Sequence, residues 1–184
     1  MHFLLPLLVD RKKQELMRKI FLIVAVGLVL FSCQDSANTS EYTGNEVTYD
    51  LQPTSEYNIS GYVTFKEKRD GATEVIVNLT GTSGEAKLPV HLHLGDITTP
   101  AADVAALLSP VNAQTGKSET VLKQLANETE VSYTDLVKLN ACIKIHLSDV
   151  GPERDIILAG GNIGASVSKS IENGRIGIQP CKSE

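Results

Sequence analysis

Apolar and polar residues alternate with period two through several stretches of this 184-residue chain, and in a strand residues two apart share a face. Ile59, Gly61, Val63 and Phe65 alternate with Ser60, Tyr62, Thr64 and Lys66, which predicts a half-buried strand. Arg69-Asp70-Gly71 supplies a turn, Asp-Gly being a strong hairpin signal, and Val75, Val77 and Leu79 carry the return. After a second turn, Thr80 to Gly84, the chain enters Pro89 to Asp96, where Val90, Leu92 and Leu94 point one way and His91 and His93 the other. A later segment repeats this logic: Ala141, Ile143, Ile145 and Leu147 share one face, Cys142, Lys144 and His146 the opposite one. Asp155 to Gly160 reads as a further strand.

The remaining segments predict connections. Thr99 as N-cap and Pro100 in the first turn predict a short helix through Ala101 to Leu108, followed by a polar loop from Ser109 to Thr120. Ser132-Tyr133-Thr134-Asp135 has the spacing of a capping box, for one short helical turn through Leu139. In the tail, Ile176 and Ile178 after Asn173-Gly174 suggest one extra edge strand. The expected architecture is all-β, a Greek-key β-sandwich or flattened barrel with one or two short helices in its loops.

The first 32 residues read as a signal peptide: Met17-Arg18-Lys19 forms a basic start, Ile20 to Leu30 an apolar run, and Leu30-Phe31-Ser32-Cys33 its end. Met17 is the expected start of translation. That ending resembles the lipobox of bacterial lipoproteins, which implies a lipid on Cys33, a membrane anchor and a place in the bacterial cell envelope; Gln34 rather than Asp after the cysteine points, by the enterobacterial sorting rule, to the outer membrane, facing the periplasm or the cell surface. Residues 33–56 are expected to be a flexible tether, being polar and without an apolar face, and residues 57–184 the folded domain. Five of the 17 basic and two of the 22 acidic residues precede Cys33, so the rest of the chain carries a net charge of −8. An acidic surface argues against nucleic acid as a partner.

Of the four histidines, His2 falls in the leader, and His91, His93 and His146 are all outward positions on predicted strands. If the two strands pair, three imidazoles converge, and neutral imidazoles suit copper or zinc; if they do not, these are ordinary surface histidines. No serine-nucleophile motif, paired-carboxylate signature or nucleotide loop competes. Gly116-Lys117-Ser118 has Val111 where a P-loop requires its first glycine. Asp96 and Asp149, each three residues beyond a histidine, are either acceptors for ring N–H groups or turn residues. With Cys33 lipidated, Cys142 and Cys181 remain for a disulfide in an oxidising compartment, or Cys142 acts as a soft copper(I) ligand.

Ile59 to Phe65, Asp70-Gly71, Val75 to Gly81, His91-Leu92-His93 and Gly95-Asp96 together resemble the N-terminal half of copper/zinc superoxide dismutases. They resemble equally the CHRD domains, chordin-type modules that share that Greek-key fold and carry His-x-His. Ile143-Lys144-Ile145-His146 is similar to the strand whose histidine completes the family's copper site, and Gly160 to Gly164 to its closing glycine-rich segment. The resemblance implies copper held by His91, His93 and His146. It also implies no dismutase-type zinc site, because the loop that carries the bridging and zinc histidines in that family has no histidine here. A copper-holding envelope module is the leading expectation, ahead of a metal-free structural or adhesive domain and a copper-only dismutase.

Overall fold

The computed structural model describes residues 15, 40–99 and 102–167; the leader, Cys33, Cys181 and the strand expected around Ile176 lie outside the described residues. Eight strands, antiparallel throughout, form β1 (Tyr42–Pro53), β2 (Ser60–Lys68), β3 (Thr73–Thr80), β4 (Lys87–Leu94), β5 (Val104–Asn112), β6 (Lys117–Leu122), β7 (Asn140–His146) and β8 (Ile157–Gly164). They close into a barrel in the order β1-β2-β3-β6-β5-β4-β7-β8, with Gln52 and Pro53 of β1 paired to Gly160 and Ala159 of β8. The β3–β4 and β6–β7 connections each cross over two intervening strands, which makes the topology a Greek key. The all-β expectation is met.

The alternation read from the sequence sorts the side chains as expected in β2, β3, β4 and β7. Val63, Phe65, Val75, Val77, Val90, Leu92, Ile143 and Ile145 are buried in one hydrophobic core, each worth about 1.5–3 kcal/mol when removed from water. Leu94, at the end of β4, departs from it and is exposed. The capping box also forms: in helix α1 (Tyr133–Leu136), Ser132 accepts from the Asp135 amide and the Asp135 carboxylate accepts from the Ser132 amide.

Three segments are corrected. Residues 42–53, expected to belong to the tether, are β1, and their apolar face is Val47, Tyr49 and Leu51, alternating with exposed Glu46, Thr48 and Asp50. The expected helix from Ala101 to Leu108 is absent from its described part, which is the start of β5. Alanine-rich sequence favours helix locally, but pairing with β4 overrides that preference, and a register irregularity lets both Ala105 and Ala106 be buried while Leu107 points out. The expected polar loop contains the end of β5, a tight turn at Asn112 to Gly116, and β6. There Ser118 and Thr120 pair opposite Val77 and Val75, so polar residues occupy positions where an apolar signal was sought.

Candidate metal centre

β4 and β7 are neighbours, with Val90 opposite Ile145, His91 opposite Lys144, Leu92 opposite Ile143 and His93 opposite Cys142. This register turns the two apolar rows into the core and leaves His91, His93 and His146 together on the outer face. Ring centroids lie 4.6 Å apart for His91 and His146, 5.7 Å for His91 and His93, and 6.0 Å for His93 and His146. One ligating nitrogen from each ring lies within 4.8 Å of the others. Tetrahedral bonds of about 2.1 Å place ligand nitrogens about 3.4 Å apart, so closure on the order of an ångström brings the set to bonding distance. The three histidines can hold a metal ion.

The histidines are outward as expected, but the outer face here is not a solvent face, so the alternative of ordinary surface histidines does not hold. His93 and His146 are 1% and 2% exposed, and Lys144 and Cys142 are fully buried; His91 alone among the three rings is partly open. Two connections form the cover. The first follows β4 and is fixed at its ends by Leu94 N–H donating to the Asp103 carbonyl and Gly95 N–H to the Asn140 carbonyl. Its Ile97 is fully buried, and the Ile97 N–H donates to Asn162 Oδ1 of β8 at 2.6 Å. Gly160 makes room for it, since a Cβ there would lie 2.8 Å from Ile97 Cδ1. The second cover is the stretch between β7 and β8, whose 3-10 turn spans Pro152–Asp155.

Each cover also orients a ring. His93 Nδ1 lies 2.8 Å from the Ala102 carbonyl, and His146 Nδ1 lies 2.8 Å from the Arg154 carbonyl. A carbonyl only accepts, so both Nδ1 atoms carry the proton and both Nε2 atoms present a lone pair. Those two Nε2 atoms are buried and have no hydrogen-bond partner among the described residues. Backbone acceptors behind the ring are the usual means of fixing a metal-binding histidine. Asp96 does not serve as such an acceptor: its Oδ1 takes the Thr98 amide at 2.8 Å and the Thr98 hydroxyl, closing a turn.

Burial also keeps the rings neutral. His91 is lowered from 6.5 to about 4, first by desolvation and then by repulsion from the other two rings and Arg154. His93 is lowered to about 4 by desolvation, with the Ala102 bond opposing and Lys144 and His146 adding to the fall. His146 moves the same way, chiefly by desolvation, against the Arg154 carbonyl. Neutral imidazole is the ligating form. Cys142 pairs with His93 across the strands but stands outside the three-residue ligand set, and its expected partner Cys181 is outside the described residues.

Sequence reasoning missed Ile97, Asn162 and the carbonyls of Ala102 and Arg154. One signal was present: consecutive glycines inside a strand mark close approach of another segment. Gly160 receives Ile97, and a Cβ on Gly161 would lie 2.1 Å from the Asp50 carbonyl of β1. Comparison of the chain with protein-family models, with curated proteins and with solved structures finds no match in any of the three.

Proposed function

We propose that this is a lipid-anchored cell-envelope protein whose barrel, of CHRD or superoxide dismutase-like type, holds copper through His91, His93 and His146. The observation that carries the reading is the pair of buried Nε2 lone pairs on His93 and His146, each set by a backbone carbonyl behind its ring and each without a partner among the described residues. A buried acceptor without a partner costs about 1–3 kcal/mol. A metal ion bound by these lone pairs would offset that cost. The all-nitrogen set with no carboxylate favours copper over magnesium or calcium. Copper bound here would accept lone pairs from three neutral imidazoles, while the chain's own residues fix the tautomers of His93 and His146 and keep water from those two rings.

The envelope assignment rests on Leu30-Phe31-Ser32-Cys33 and on the lipid that the motif implies. Among the described residues no helix is long and apolar enough to cross a membrane. A copper-only dismutase is the second reading, favoured by the partly open His91 side of the centre.

Calorimetric copper titration of the wild type and of His93→Ala and His146→Ala tests the proposal. Stoichiometric binding by the wild type and its loss in both variants is expected; three indistinguishable isotherms would sink it. Superoxide consumption by the copper-loaded protein then separates a holder from an enzyme, and slow consumption is expected.

A further inference from the structure

The three histidines are held unequally. His93 and His146 are buried and fixed through Nδ1 to carbonyls on two different connections. His91 is partly open, and neither of its ring nitrogens makes a hydrogen bond among the described residues; its ring rests on those of His146 and His93. On the β5 side its cross-strand neighbour is Leu107, which is 69% exposed, so among the described residues this flank of the ring borders solvent-facing surface. On the β7 side its neighbour is the fully buried Lys144.

A side chain that turns about its χ angles without breaking a hydrogen bond moves at the cost of a rotamer change only. Rotating His93 or His146 instead breaks a bond to a carbonyl and moves the ring against a packed cover. Exposed side chains change rotamer within nanoseconds, whereas displacing a packed connection is a far slower collective motion.

We infer that His91 is the exchangeable ligand of the centre: copper reaches and leaves the site along the open β5 side, past Leu107, while His93 and His146 form the fixed pair that retains it. This rests on the copper reading above. A second consequence concerns small external ligands. Removing the His91 ring opens a coordination position to solvent, so a free imidazole can take its place; removing either buried ring leaves a cavity behind a cover, which an external imidazole cannot reach.

The test uses the full-length chain in detergent, loaded with copper(II), and its His91→Ala, His93→Ala and His146→Ala variants. Copper release to excess EDTA is followed by stopped flow, and the nitrogen couplings of the bound copper by electron paramagnetic resonance, with and without added imidazole. His91→Ala is expected to keep copper, to release it about ten- to a hundredfold faster than wild type, and to regain the wild-type nitrogen pattern when imidazole is added. His93→Ala and His146→Ala are expected to show no such recovery. His93→Gln and His146→Gln, checked by circular dichroism, replace the alanine variants if those fail to fold. If wild type binds copper but all three positions behave alike, or imidazole restores a buried position as well as His91, the inference is overturned. If wild type binds no copper, the copper reading falls and this inference falls with it.

Discussion

Along β1, β2 and β3 the outward residues Glu46, Lys66 and Glu74 lie side by side across the sheet, with Lys66 Nζ 3.6 Å from Glu46 Oε2, the Glu46 side chain exposed and that of Lys66 partly so. Across the barrel, the outward residues His93, Cys142, Lys144 and His146 of β4 and β7 are buried, and His91 beside them is half-buried. The same strand parity produces both rows. What separates them is what the chain does after each strand: β2 returns through the tight turn at Arg69 to Gly71, whereas β4 and β7 are followed by connections long enough to fold back over the sheet. An open polar row is stabilised by water and tolerates change. A covered one must satisfy its polar groups internally, or hold unsatisfied ones for a ligand.

That contrast can be broken most forcefully at Ile97, the fully buried anchor of the first cover. Ile97→Ala removes the side chain lodged against Gly160 and is expected to cost about 2–5 kcal/mol, read as a lower urea midpoint, together with weaker copper binding. A loss of stability below about 0.5 kcal/mol would mean the cover does not depend on this contact.

Acidification comes next. His91 and His93 titrate near 4 in the folded protein and near 6.5 when unfolded, so the unfolded chain binds more protons between those values. The stability that neutral histidines contribute is therefore complete above pH 6.5 and lost as pH falls toward about 4. Thermal melts of metal-free protein from pH 7.5 to 4 are expected to show a steady decline in Tm, reduced in a variant lacking His93. A flat profile would place the rings in water. Because the folded values are depressed, protons should begin to displace copper nearer pH 4 than pH 6.5.

The smallest effect is expected on the open row. Lys66→Ala removes an exposed ion pair worth about 0–1 kcal/mol, so its urea midpoint should stay close to wild type and copper binding should not change.

The histidine set was legible in the sequence because two features coincide there: strict alternation and β-branched or leucine neighbours, as in Val90-His91-Leu92-His93 and Ile143-Lys144-Ile145-His146. Pairing β4 with β7 then needed only the family resemblance. β1 was hidden because Val47, Tyr49 and Leu51 are diluted by Thr, Asn and Glu at the other positions, and because closure against β8 supplies the order that composition does not. β5 was hidden by two adjacent buried alanines, which no period-two template allows without a bulge. The covers were hidden for a deeper reason: a carbonyl that orients a histidine, such as those of Ala102 and Arg154, is present at every residue and leaves no mark in the side-chain alphabet.

The two carbonyl bonds behind His93 and His146 also bear on the order of folding. Each bond comes from a connection that can settle only after its strands have paired, and β4 meets β7 across a long intervening stretch of chain. An incompletely folded chain therefore has the histidines but not the oriented lone pairs, and binds metal no better than any loose imidazoles. A ligand that binds only the finished barrel stabilises it by about 2.7 kcal/mol at a hundredfold excess over its dissociation constant. A metal ion held at this centre would thus act as a check on completed topology, stabilising the closed barrel and leaving a misregistered one unprotected.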